Sequence, residues 1–193
     1  MPLPPPLSFA DHASDPGLDR WVAEVGVTNA PVPRQGVRTA LKFFAAQMPT
    51  LPTDMALNFL RAMDLSRKVD AVTLRPGEPL IAFRTDAEIN ANPFRLFYAR
   101  PGASMFDSGI NHAGRRIVRF KARTAAPALE TYTTGAIDIW TVRENGQPTT
   151  VVPRKNTTGV MAMGGGAQLI VPNAAAVLEL APGASAPPGV GRR

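Results

Sequence analysis

The sequence predicts an α+β fold: an N-terminal helical segment followed by a compact, mostly antiparallel β-rich domain. Three observations predict it. Apolar residues recur at spacings of three and four through the first third of the chain, and from about Val72 the pattern changes to alternation. Gly, Pro and Asn punctuate the second part at short intervals, as hairpin connections require. The length, 193 residues, suits one well-cored domain with a helical attachment and is too short for two large ones.

Three helices are expected in order. Ser14 or Asp15 caps the first, which has Pro16 at its first position and runs through Leu18, Trp21, Val22 and Val25 to a stop at Gly26. The second covers about Gln35 to Gln47, with Val37, Leu41, Phe44 and Met48 on one stripe. Thr53 caps the third, where Met55, Leu57, Leu60, Met63 and Leu65 precede the basic turn Arg67-Lys68. A Met and Phe stripe of this kind is a packing face.

The strands follow. Leu80 to Arg84 is an apolar run that reads as a buried strand, Phe94, Leu96 and Tyr98 alternate, and Val118, Phe120 and Ala122 alternate with Arg119, Lys121 and Arg123. Further strands are expected at Leu129 to Thr133, Ile137 to Val142, Thr149 to Val152, Gln168 to Val171 and Val177 to Leu180. Turns fall at Pro101-Gly102, Asn111 to Gly114, Asn145-Gly146 and Gly164 to Gly166, and short helices fit near Ser104 to Ser108 and Asn173 to Val177. The expected organisation is a Pro-rich tail over 1–13, a helical region over 14–71, a basic β-rich domain over 72–181 and a flexible tail over 182–193.

Composition narrows the function classes. The chain has no cysteine and only His12 and His112, which excludes disulfides, a Cys nucleophile and a Cys- or His-built metal cluster; a carboxylate-bound magnesium or calcium is left open but has no supporting motif, and no metal is expected. No stretch reaches the roughly 18–20 uninterrupted apolar residues of a membrane span, and a basic-then-apolar signal segment is missing. A soluble protein without an ordinary secretion signal is expected. Residues 1–70 balance 7 Lys plus Arg against 7 Asp plus Glu, whereas the remainder holds 14 against 8, giving the net +6. Arg95 to Arg123 contains seven basic residues and one acid, Asp107. This stretch is either a solvated face or an attractor of anions such as phosphate or nucleic acid.

Individual motifs leave alternatives open. Gly164-Gly165-Gly166 leads directly into Ala167, Gln168 and a strand; glycines there permit positive φ and close backbone approach. No Lys-Ser/Thr follows, and a strand rather than a helix comes next, which argues against a P-loop or a dinucleotide fingerprint. The alternative is a hairpin turn. Arg84 ends a buried run with its guanidinium expected at a cleft or surface, suited to phosphate oxygens or to pairing with a carboxylate. A serine-hydrolase triad from Ser104 or Ser108, Asp107 and His112 lacks the G-x-S-x-G elbow. Basic residues interleaved with Phe94, Phe97, Tyr98, Phe106 and Phe120 raise a non-enzymatic nucleic-acid-binding module, although Phe94 and Phe120 fall on the apolar phase of their strands.

Taken together, Phe83-Arg84, the segment Phe97 to Ser104, the segment Gly114 to Ala122 and Gly164 through Gln168 to Pro172 resemble, in order and approximate spacing, the tuberculosis necrotizing toxin domain. The resemblance covers roughly residues 80–180. It implies a compact β-rich fold related to ADP-ribosyltransferases and an NAD+ glycohydrolase activity, with NAD+ as substrate and no cofactor. It implies that Arg84 engages the phosphates and that Gln168 is the catalytic-site glutamine. Where that family has a functional histidine, in the strand matching Ile117 to Phe120, this sequence has arginines.

On this reading Arg84, helped by Arg100 or Arg116, holds the pyrophosphate. Gln168 binds a ribose hydroxyl or orients water, and Gly165 and Gly166 let the backbone approach the substrate. Phe97 and Tyr98 wall the nicotinamide pocket, with Trp140 a further wall, and Glu130 or Asp138 is a candidate acid completing the site. A glutamine cannot serve as a general base at neutral pH, which favours hydrolysis over mono-ADP-ribosyl transfer, the alternative within the superfamily. The resemblance further implies a toxin effector that is cytoplasmic in its producer and exported by a specialised apparatus. A cognate immunity protein is implied, with the N-terminal helices as a possible contact for an export chaperone.

Overall fold

The computed structural model describes residues 5–108, 114–134 and 164–182, together with the backbone of 143–144 and 147–148. Trp140, His112, Asp138, the strands expected at Ile137 to Val142 and Thr149 to Val152, and the tail from residue 183 onward lie outside the described residues. Three α-helices lead: α1 (Asp15–Val25), α2 (Pro31–Gln47) and α3 (Thr53–Ala62). They are followed by β1 (Asp70–Leu74), β2 (Pro79–Thr85), α4 (Asp86–Ala91), β3 (Phe97–Tyr98), β4 (Arg115–Ala122), β5 (Ala126–Tyr132), β6 (Arg143–Glu144), β7 (Gln147–Pro148), β8 (Ala167–Ile170), α5 (Ala174–Val177) and β9 (Leu178–Leu180). The architecture is α+β with antiparallel strand pairing, as the periodicities predict.

Local chemistry sets the boundaries. Ser14 caps α1 by accepting from the Gly17 N–H, and Gly26 ends it in the left-handed region at φ 80°. The second helix starts four residues before the expected position because Pro31, with no N–H to lose, occupies its first turn. Thr53 is the first residue of α3 rather than its cap, which is Pro52.

Residues 5–13 are not a free tail. Ser8 and Asp11 form a capping box at a 3-10 turn, Phe9–Ala13, and Phe9 stacks 6.0 Å from Trp21, whose Nε1 donates to the Ser8 carbonyl. The alternation at Phe94, Leu96 and Tyr98 does not make one strand: only Phe97–Tyr98 pairs.

The described strands form three sheets: the two-stranded β6-β7 and two larger ones, β1-β5-β8-β3 and β2-β4-β9. The larger two join where Ile81 and Ala99 exchange both backbone hydrogen bonds at 2.8 Å, so the strand after Tyr98 crosses onto β2. The result is a single bent antiparallel surface with an inner and an outer face. The inner core holds Leu74, Leu80, Ala82, Tyr98, Val118, Phe120, Leu169 and Leu178. Phe94 joins it by an edge contact on Phe120 at 5.5 Å, placing both aromatics in the core.

Leu129, Ile170 and Phe97 point to the other face of the four-stranded sheet, where they pack with Trp21, Phe44, Phe59 and Leu60 of the helices. Phe59 and Phe97 meet edge-on at 5.3 Å, worth about 0.5–1.5 kcal/mol beyond the area buried. The helical third therefore shares one core with the sheet.

Candidate functional site

Strand alternation decides which candidate residues share a face. Arg84 pairs with Arg116 across β2 and β4, on the inner face with Ala82 and Val118. Arg115, Ile117 and Arg119 alternate with them and lie on the outer face beside Thr85, Phe83 and Ile81. Gln168 pairs with Thr131 and has the phase of Ile170 and Leu129, so it too lies on the outer face. Between Gln168 and Ile117 that face carries a separate buried cluster, Ile81, Phe83 and Ala99, covered by Ala103 and Met105.

The expectation of Arg84 at a cleft or surface is corrected by its burial: it is 6% exposed. Its guanidinium donates to the Phe97 carbonyl at 2.8 Å and, at 3.4 Å, to those of Pro93 and Phe83. Burial pulls its pKa below the ordinary value, opposed by Tyr98 and Glu88. These bonds tie β2 to the start of β3, a structural use of donors that the family resemblance implied for phosphate and the sequence alone left open to a carboxylate.

Around it stand Arg95, Arg115 and Arg116, balanced by Glu88 and Asp86. Glu88 accepts from Arg115 Nη1 at 2.7 Å, with both side chains 10% exposed, and lies 3.4 Å from Arg95. Burial raises the Glu88 pKa, but the Thr85 amide, Arg115 and Arg95 outweigh it and hold the group below its ordinary value. Arg116 Nε lies 3.0 Å from Asp86 Oδ1 yet has no hydrogen bond of acceptable direction, so this contact is electrostatic only. The capping box Thr85-x-x-Glu88 that starts α4 was legible in the sequence, and so was the helix it announces; neither is part of the expected scheme.

Phe97 and Tyr98 cannot wall one pocket, because successive strand residues face opposite ways: Phe97 packs on Phe59, while Tyr98 lies 5.2 Å from Phe120 in the inner core. Among the described residues the buried Tyr98 hydroxyl makes no hydrogen bond of acceptable geometry, and burial pushes its pKa up to about 12 against the charge of the Arg84 guanidinium beside it. Arg100 bridges Glu78 and Glu130 at the rim of a 570 Å³ groove also lined by Thr73, Arg75 and Pro76. The candidate acid Glu130 is thus engaged by a cation, 3.2 Å from Arg100 Nε.

The glycine loop has the conformation expected of it and a different neighbour. Gly164 and Gly165 have φ of 69° and 81°. Gly166 packs so closely that a Cβ would stand 2.7 Å from the Asp107 carbonyl oxygen. The close approach is to the chain's own backbone: Gly166 N–H donates to Asp107 O at 2.9 Å, and Gly165 N–H to Thr133 O at 2.7 Å.

Directly after this loop, half-buried Gln168 has no described hydrogen bond to its amide. On the same outer face are Ile117, 47% exposed, and exposed Arg119. Gln168 thus presents a neutral amide, and Ile117 and Arg119 an apolar surface and a cation, at outward-facing strand positions.

The fold is similar to that of Tse6, solved in complex with Tsi6, with a TM-score of 0.54 and 18% identity; the likeness covers 80% of this chain and 99% of that one. A looser likeness, with a TM-score of 0.37 and 14% identity over 63% of this chain and 81% of the other, is to Rhs1-CT, solved in complex with its cognate immunity protein RhsI1. No protein family and no curated protein matches the chain.

Proposed function

We propose that this chain is a toxin effector that hydrolyses NAD+ to nicotinamide and ADP-ribose, and that a cognate immunity protein shields the cell that makes it. The observation carrying the activity is Gln168: a neutral amide with no described hydrogen bond, held on a strand immediately after the glycine loop and facing the side of the sheets from which Ile117 and Arg119 project. The resemblance to NAD+ glycohydrolase toxin domains supports it, as does a fold shared with Tse6, a protein solved in complex with Tsi6.

The chemistry needs little acid–base work. As the C1′–N bond breaks, nicotinamide leaves as a neutral molecule with the electron pair, and the ribose passes through an oxocarbenium-like state. Water then bonds to C1′ and gives its proton to solvent. Positioning and charge complementarity are what the protein supplies. Gln168 holds a ribose hydroxyl or the attacking water, Ile117 offers an apolar surface to the nicotinamide, and Arg119 takes the pyrophosphate. Arg84 acts at one remove, by holding β2 and β3 in register.

Purified protein incubated with NAD+ should release nicotinamide, and Gln168→Ala should abolish most of the release without lowering the melting temperature. No release by the wild type, or equal release by the variant, overturns the assignment. Labelled ADP-ribose appearing on protein instead would make the chain a transferase. The immunity protein is expected as a tight partner recovered from the producing cell. Export by a specialised apparatus through the outer faces of α1 to α3 belongs to the same proposal.

A further inference from the structure

Arg67 connects the helical third to the glycine loop. After α3 the chain pairs with the end of β5: Met63 bridges Thr133, Asp64 N–H donates to Tyr132 O at 2.7 Å, and Thr134 N–H donates to Ala62 O at 3.0 Å. The Asp64 side chain then turns the chain, accepting from Ser66 N–H at 3.2 Å and from the Ser66 hydroxyl at 2.5 Å. That turn returns Arg67 over β5, where its guanidinium carbon stands 3.3 Å from the centroid of the Tyr132 ring. Its Nη1 donates to the Gly165 carbonyl at 3.0 Å, a contact spanning 98 positions of sequence.

Each partner matters to Gln168. Gly165 holds φ 81°, a conformation open to glycine but not the only one glycine adopts, and partners outside the loop select it: Thr133 O accepts from its N–H at 2.7 Å, and Arg67 donates to its carbonyl. Tyr132 pairs with Ala167, and Thr131 with Gln168, in the β5–β8 register. A planar cation that stacks on the ring and donates in its own plane joins both strands ahead of Gln168; lysine has no equivalent fork.

We propose that Arg67 is a positioning residue: it clamps the Gly164–Gly166 loop onto β5 and so fixes Gln168, making the helical third part of the catalytic machinery. The reaction it serves rests on the NAD+ hydrolysis proposed above; the clamp itself does not.

The test uses the full chain with two readouts, nicotinamide release from NAD+ and amide hydrogen exchange over residues 164–168. Arg67→Ala should lower kcat by roughly 10- to 100-fold with KM within about threefold of the wild type, the signature of misplacement rather than lost binding. Exchange over the loop should accelerate while β2 and β4 keep their protection. Tyr132→Ala, which removes the ring under the guanidinium, should shift kcat and loop exchange in the same direction as Arg67→Ala, and Arg67→Lys should fall between Arg67→Ala and the wild type. Unchanged loop exchange in Arg67→Ala, or a kcat within about twofold of the wild type, overturns the clamp. If the wild type releases no nicotinamide, the NAD+ assignment fails, and exchange alone decides for or against the clamp.

Discussion

Gly166→Ala isolates the close packing of the glycine loop. Gly166, unlike its two neighbours, has no positive φ, so an alanine there meets a contact problem and no backbone strain. The added Cβ would stand 2.7 Å from Asp107 O, 3.0 Å from Asp107 C and 3.1 Å from Asp107 Cβ, and two of those are backbone atoms that cannot rotate away. Overpacking of this kind costs about 1–3 kcal/mol. Moving Asp107 also strains the bonds its carbonyl accepts from Gly166 N–H at 2.9 Å and Thr133 Oγ1 at 2.8 Å, each worth about 0.5–1.5 kcal/mol. The expected loss is about 2–6 kcal/mol, which for a chain of this size lowers the melting temperature by roughly 4–24 °C. Thermal unfolding followed by circular dichroism measures it. Gly77→Ala is the control: φ is 82° with open space around it, so only the left-handed penalty of about 1–2 kcal/mol applies. If Gly166→Ala melts with the wild type, or no lower than Gly77→Ala, the reasoning fails.

Glu88→Gln removes the charge opposite Arg115 in a pair that is 10% exposed on both sides, and should cost about 3 kcal/mol by chemical denaturation. The folded Glu88 pKa lies below the ordinary 4.5, so its contribution is complete above that value and is lost as pH falls through the folded pKa. The variant should therefore lose less stability than the wild type between neutral and strongly acidic pH, and parallel acid profiles would refute the assignment. Tyr98→Phe deletes a buried hydroxyl that makes no hydrogen bond of acceptable geometry among the described residues, and should leave the melting temperature unchanged or slightly raised. Arg84→Met, which strips donors from three backbone carbonyls, should lower stability by about 2–4 kcal/mol and so reduce any activity through unfolding. Removing residues before Val69 should expose Leu129, Ile170 and Phe97 and yield aggregated, dye-binding protein; a soluble, cooperatively unfolding product would show that the sheet needs no helical cover.

Much of the fold was legible because local chemistry and period agree. Ser14, Pro16 and Gly26 bracket α1, the alternation of Val118, Phe120 and Ala122 with basic residues marks β4, and the glycine loop announces β8. Thr85 and Glu88 announced α4 as well, but an apolar run read as strand hid the helix behind it. The two-residue β3 was blurred because Leu96 and Phe97 both belong to the helical core.

What the sequence by itself determined is the class of structure, helices first and antiparallel strands after, and a glycine loop free to take positive φ, since each depends on spacing within a few positions; Gln168 was singled out by the family resemblance. Only the tertiary structure decided which faces those residues occupy. The bridge between Ile81 and Ala99 and the β5–β8 register separate Arg84 and Tyr98 from Gln168, bury Arg84, which was expected at a cleft or surface, and bring Arg67 98 positions along the chain to Gly165. Strand alternation has a period of two, so a single step in register exchanges core for surface, and no local pattern records where distant strands meet.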